Sequence, residues 1–108
     1  MTNITFYKKN DIYIGFEVFG HAGKNRRNGD DLLCCQISTV AQLAVVGIDQ
    51  IAKTKNTHQI EDGYLKIVLD EKKAKDGKIQ FLFETCLQSF KSIVIGEEKY
   101  AKLEVKNV

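Results

Sequence analysis

The feature that most constrains this chain is a change of hydrophobic period that happens twice. Residues that alternate in and out every second position belong to half-buried strands, and residues that recur every third or fourth position belong to helices. Ile4 and Phe6 open an alternating run, Lys8-Lys9-Asn10-Asp11 breaks it as a turn, and Ile12, Ile14, Phe16 and Val18 resume it on one face. Tyr13, Gly15, Glu17 and Phe19 take the other face, so the reading is a first hairpin. From Asp30 the period becomes helical, with Leu33, Ile37, Val40, Ala41, Ala44 and Ile48 on one stripe and an end near 51–54. Asp30 or Asp31 supplies the N-cap, because a carboxylate accepts from the unpaired N–H groups of a first turn.

The pattern then repeats. His58 to Leu69 reads as a second hairpin around Asp62-Gly63, expected as a type I′ turn with positive φ at both positions. Asp76-Gly77 precedes a second helix with the stripe Ile79, Leu82, Phe83, Cys86, Leu87, Phe90, Ile93 and Val94, stopped at Gly96. Ala101, Leu103 and Val105 alternate in a last strand. The expected fold is therefore α+β, in the order β-β-α-β-β-α-β, with two helices packed on a mainly antiparallel sheet. At 108 residues the chain is expected to form one domain, 1–108, large enough to bury a core without disulfides or metals.

Charge and cysteine content narrow the function. The formal charge of +2 is spread evenly along the chain, without a basic or acidic tail. Lys24, Arg26 and Arg27 form the densest cationic cluster, too short for a nucleic-acid footprint, so direct nucleic-acid binding is not expected and only an accessory RNA contact stays open. Three cysteines, two of them the adjacent Cys34 and Cys35, suit neither a closed disulfide framework nor a CxxC redox or zinc motif. The N-terminus lacks the cationic start and apolar run of a signal peptide, and no stretch is expected to approach the ~18 apolar residues a membrane helix needs. A reducing cytoplasm is the expected location, with no membrane association.

The segment Gly20 to Ser38, GHAGKNRRNGDDLLCCQIS, holds the chemistry. It places His21 at a strand end, then a glycine-rich loop that reads as mobile, then Cys34 in the first turn of a helix. A helix N-terminus carries partial positive charge and unsatisfied N–H groups, which favour thiolate over thiol and offer donors to an oxyanion. A histidine within reach takes the thiol proton and returns it to a leaving amine. On these residues alone the bland alternative stands beside this one: a polar strand-end histidine and a buried helix-start cysteine.

The same residues resemble the ribosomal-processing cysteine proteases, the Prp family. Gly20-His21-Ala22-Gly23, then Gly29-Asp30-Asp31-Leu32-Leu33-Cys34, then Ile37-Ser38 is similar to that family's signature, and the element order agrees over essentially the whole chain. The resemblance implies a Cys34 nucleophile and a His21 general base. It implies a substrate that is the short apolar, aromatic-ended N-terminal extension of a large-subunit ribosomal protein. It further implies a homodimer, a loop between His21 and Cys34 that moves to admit substrate, and no metal or organic cofactor. Cys35 departs from the family, where a small residue such as Ala is common, and the cationic loop exceeds what the signature requires.

Supporting roles are assigned residue by residue. Gly20 and Gly23 give freedom or close approach around His21, and Gly29 frees the exit into the helix. Asp31 is read first as an N-cap and second as an orienting group for His21. Ser38, one turn below Cys34, bonds either near the site or back to its own helix. Cys86 is core, His58 an ordinary strand residue, and the four tyrosines are unassigned, some being candidates for a dimer interface. The oxyanion donors are expected among the helix N-terminal amides, that of Cys34 included. Two rivals remain: a ribosome-associated binding module without chemistry, and a thiol sensor using Cys34 and Cys35, disfavoured because adjacent cysteines close only strained disulfides.

Overall fold

In a computed structural model, residues 1–23 and 31–108 are described. The strands are β1 (Thr2–Lys9), β2 (Ile12–Phe19), β3 (Thr57–Glu61), β4 (Tyr64–Val68) and β5 (Ala101–Asn107). The helices are α1 (Leu32–Val46), which runs on into a π-helical turn at Gly47–Ile51, the short α2 (Glu71–Ala74), and α3 (Gly77–Val94). The five strands form one sheet in the order β3-β4-β2-β1-β5. β1·β2, β2·β4 and β3·β4 are antiparallel, and β1·β5 is parallel. The expected α+β fold is present, with α2 as an addition. Its four residues are too few to show a helical period.

Side chains explain the stacking. Ile4, Phe6, Phe16, Val18, Leu65 and Ile67 of the sheet and Ile37, Ala41, Ala44, Ile79, Phe83 and Phe90 of the helices are buried in a common core. Phe6 stacks on Phe16 at 5.0 Å between ring centroids, and Phe90 meets both edge-on at 5.9 Å. Helix α3 starts where Asp76 accepts from Lys78 N–H at 3.0 Å and stops at an extended Ile95 followed by Gly96 at φ 77°.

Three local expectations are corrected. The strict alternation of β2 breaks between Tyr7 and Lys8 of its partner, where the register shifts from Tyr7↔Gly15 to Lys8↔Tyr13. A β-bulge at Ile14 follows, and a bulge moves every later side chain to the opposite face. Tyr13, not Ile12 or Ile14, therefore joins Phe16 in the core, 6.0 Å from Phe6 and 6.5 Å from Phe83 between ring centroids. On the N-terminal side of Gly15 the β2·β4 ladder ends with Leu69 N–H donating to Ile14 C=O at 2.8 Å, and Gln80 of α3 takes over at Tyr13. Its Oε1 accepts from Tyr13 N–H at 3.0 Å and its Nε2 donates to Tyr13 C=O at 2.8 Å.

The turns exchange roles. Asn10 and Asp11, with φ of 51° and 62°, supply the paired positive angles expected of Asp62-Gly63, where only Gly63 is positive at 71°. Asn and Asp tolerate that region because their short side chains bond locally.

The absence of a membrane-length apolar stretch is also revised. Leu32–Ile51 is a continuous helical run of 20 residues with hydropathy 1.6, long and apolar enough by length and composition to cross a membrane. Counting uninterrupted apolar residues missed it, because Gln36, Ser38, Thr39 and Gln42 divide the run. One face packs into the core through Leu33, Ile37, Ala41, Ala44 and Ile48, while Leu43, Val46 and Ile51 are exposed.

Candidate functional site

The site lies where the end of β2, the start of α1 and the β3–β4 turn converge. Phe19 pairs with Tyr64 in the sheet, so the residues just beyond each strand end must lie side by side. Gly20 N–H then donates to Gly63 C=O at 2.8 Å. Gly20 adopts φ 96°, and a side chain there would put its Cβ 2.4 Å from the Met1 carbonyl oxygen, so both angle and space require glycine. His21 follows, turned toward the helix start.

Asp31 holds the second component. Its Oδ1 accepts from Cys34 N–H at 2.9 Å, which makes it the N-cap of α1. Its Oδ2 accepts from Gly23 N–H at 2.8 Å. One carboxylate thus ties the segment after His21 to the first turn that carries Cys34. Asp31 is accordingly a cap and a clamp. Its two oxygens are engaged by backbone N–H groups, and the orienting role toward His21 is not what this geometry provides. The Cys34 amide is engaged as well, so it is not a free oxyanion donor as the sequence reading allowed.

Cys34 Sγ and His21 Nδ1 stand 3.7 Å apart, within hydrogen-bonding range for sulfur. Cys34 is half-buried and carries no disulfide. The other ring nitrogen, Nε2, lies 3.8 Å from Asp62 Oδ1, with the His21 side chain 41% exposed and Asp62 almost fully so. Gly63 forms the wall under the ring: a Cβ there would lie 2.8 Å from His21 Nε2.

Behind the pair opens a cleft of about 280 Å³ between α1 and the β3–β4 hairpin. Its floor is Val18, Ile37, Ala41 and Leu65, and Ser38, Gln42, Ile60 and Tyr64 contribute to its walls. Ser38 Oγ accepts from Gln42 Nε2 at 2.8 Å, and both residues line the cleft behind the pair. The Tyr64 phenol donates to Glu17 at 2.9 Å, and that bond, with burial and the same carboxylate's charge, pushes its pKa above the ordinary value.

Gly29, Asp30 and the cations Lys24, Arg26 and Arg27 lie outside the described residues, as does most of the loop read as mobile. Cys35 is exposed and Cys86 buried, its thiol pushed up to about 11 by burial. His58 is exposed on β3 and its Nδ1 lies 2.7 Å from Asn56 Oδ1. Among the described residues, no three His, Cys, Asp or Glu side chains gather in a way that would hold a metal ion.

The sequence reading missed Asp62 and Gly63 as neighbours of His21. Their signal was present: once β2 is paired with β4, GHAG and the Asp-Gly turn must meet.

A family model described as cysteine protease Prp matches residues 1–102. The chain belongs to the Prp cysteine protease family. No curated protein matches it. Among solved structures, a Streptococcus mutans protein is 26% identical over 100% of this chain and 96% of its own, with a TM-score of 0.84. The essential ribosomal processing protease Prp from S. aureus, in complex with a covalently linked product peptide, is 20% identical with a TM-score of 0.85, covering 98% of this chain and 100% of its own. The same S. aureus protease with a substrate peptide gives 16% identity and a TM-score of 0.80 over 98% and 100%. At these identities the S. aureus structures show the shared fold. Membership in the Prp family makes the chain a cysteine protease.

Proposed function

We propose that this cysteine protease cleaves its peptide with a Cys34–His21 pair and that its substrate is the apolar N-terminal extension of a large-subunit ribosomal protein. The observation that carries the reading is the 3.7 Å approach of Cys34 Sγ to His21 Nδ1 at the mouth of an apolar cleft. That spacing is slightly long for proton transfer, as is usual before substrate closes a site.

The chemistry runs in two halves. The Cys34 thiol gives its proton to His21 Nδ1, and the thiolate attacks the scissile carbonyl carbon to form a tetrahedral oxyanion. As the oxyanion collapses, the C–N bond breaks, and the departing amine takes the proton from His21. The acyl half remains on sulfur as a thioester. Water then attacks that carbonyl while His21 accepts a water proton. The S–C bond breaks, the carboxylic acid leaves, and the proton returns to Cys34. The Cys34 amide is committed to Asp31, so it is not the donor that holds this oxyanion.

The apolar floor of Val18, Ile37, Ala41 and Leu65 suits an apolar, aromatic-ended segment. The S. aureus relative, a ribosomal processing protease bound to a product peptide in one structure and to a substrate peptide in another, supports a peptide substrate from ribosomal processing. The working unit in this reading is a cytoplasmic homodimer. Its free thiols fit a reducing compartment, and the exposed Leu43, Val46 and Ile51 on α1 and the turn after it offer apolar surface to a second copy.

The test is cleavage of a ribosomal-protein peptide carrying such an extension, followed by mass spectrometry. Wild type is expected to cut at one site, and Cys34→Ala and His21→Ala to leave the peptide intact. Undiminished cutting by Cys34→Ala would remove the assignment. Tight binding without cutting by all three forms would favour a binding module.

A further inference from the structure

We infer that Asp62, in the β3–β4 turn, is a positioning residue for His21: its carboxylate faces Nε2, biases the ring proton toward that nitrogen by its charge, and steadies the imidazolium that forms when Nδ1 takes the proton of Cys34. The inference rests on the proposed Cys34–His21 pairing.

Three observations and one electrostatic argument carry it. The two ring nitrogens of His21 look in opposite directions, Nδ1 at Cys34 Sγ across 3.7 Å and Nε2 at Asp62 Oδ1 across 3.8 Å. A carboxylate attracts N–H and repels a lone pair, so it selects the tautomer with the proton on Nε2 and leaves the Nδ1 lone pair toward sulfur. The turn that carries Asp62 is fixed to the segment that carries His21, just past the end of β2, by the Gly20 N–H to Gly63 C=O bond of 2.8 Å. The ring rests directly on Gly63, where an added Cβ would lie 2.8 Å from Nε2, so the turn approaches as closely as glycine allows.

The other acids near the site are occupied differently. Both oxygens of Asp31 accept backbone N–H groups, from Cys34 and Gly23. Glu61 accepts from Gln59 Nε2 at 2.9 Å. The Asp62 side chain is 99% exposed, so its influence is that of a charge at the rim of the site, modest and sensitive to salt.

The structural role of an aspartate before glycine is turn formation, and Asp62→Asn keeps it, because Asn matches Asp in size and the positive φ of this turn falls on Gly63. That separates charge from fold. The measurement is the rate at which iodoacetamide alkylates Cys34 at neutral pH, followed by peptide mapping so that Cys35 is scored separately. It is run on the full chain for wild type, Asp62→Asn, Asp62→Glu and His21→Ala, at low and at about 1 M salt, where the screening length falls to ~3 Å. At low salt Asp62→Asn is expected to react about 2–5-fold more slowly than wild type, the span that a surface charge pair supports, and Asp62→Glu to recover most of the rate. At high salt the difference should vanish. Equal low-salt rates for wild type and Asp62→Asn, with His21→Ala slow, would overturn the role of Asp62 and leave the Cys34–His21 pair standing. Equal rates for wild type and His21→Ala would overturn the pairing itself.

Discussion

Asp31 takes the amide hydrogen of Cys34 at 2.9 Å, and in doing so it fixes both the start of α1 and the height at which the thiol stands opposite His21. The same carboxylate reaches back to Gly23 N–H at 2.8 Å. Two backbone segments separated in sequence are joined by one side chain, and the gap between Sγ and Nδ1 depends on that junction.

Replacing Asp31 by Ala should therefore act twice. Loss of an N-cap lowers stability by about 1 kcal/mol, read as a lower urea midpoint. Turnover should fall further than that destabilisation explains, because Gly23 and Cys34 lose their common anchor. Asp31→Asn offers one acceptor oxygen in place of two, so it should keep most of the stability and still lose turnover. Wild-type turnover in Asp31→Asn would show that the tie to Gly23 is dispensable.

Gly63→Ala tests the wall beneath His21. The substitution meets both a φ of 71° and a ring nitrogen 2.8 Å from the new Cβ. The imidazole must move, and a displacement near 1 Å from productive geometry can cost on the order of 100-fold in rate. The expected result is a chain that still shows native far-ultraviolet circular dichroism and cleaves peptide at least about tenfold more slowly. A fully active Gly63→Ala would mean that the ring position is not set by this turn.

The three thiols should separate by reactivity. Burial pushes Cys86 from an ordinary value near 9 up to about 11, so it stays a neutral thiol across the working range. Under native conditions alkylation should mark Cys34 and Cys35, and Cys86 only after urea. The linkage has a definite sign. A folded-state value above the unfolded one gives stability that is complete below the unfolded value and is lost as pH rises through the folded one. From about pH 9 to pH 11 this amounts to at most roughly 2–3 kcal/mol, at 1.36 kcal/mol per unit. Urea midpoints measured at both ends of that window should fall more for wild type than for Cys86→Ala, and equal falls would show that Cys86 does not contribute.

Gln80 carries a fold-level prediction. It serves both backbone groups of Tyr13, one residue past the last bond of the β2·β4 ladder. Gln80→Leu keeps the volume and leaves those groups unpaired, a loss of about 1–3 kcal/mol. An unchanged urea midpoint would mean that solvent reaches the bulge freely.

The order of elements was legible because periods of two and of three to four are imposed by burial on one face, and Ile4, Phe6, Ile37, Phe83 and Phe90 obey them. The bulge at Ile14 was not legible. An inserted residue leaves both flanking segments in good alternation, and only the partner register reveals the slip. The π-helical turn at Gly47–Ile51 and α2 share this character, being too short to show a period of their own.

Of the candidate site, His21, Cys34 and Asp31 were readable because each sits at an element boundary with a local chemical reason. Asp62 and Gly63 were read only as a turn, since their neighbour His21 is more than forty positions away and meets them through the β2·β4 pairing. The commitment of the Cys34 amide to Asp31 likewise depends on a side-chain direction that spacing does not fix.

The most direct test of the central claim is to quench the reaction with acid within one turnover and locate the acyl group by peptide mapping. A thioester on Cys34, carrying the N-terminal half of the substrate and absent in Cys34→Ala, is expected. An acyl group on Cys35 or on any other residue, or cleavage by Cys34→Ala at the wild-type rate, would contradict it.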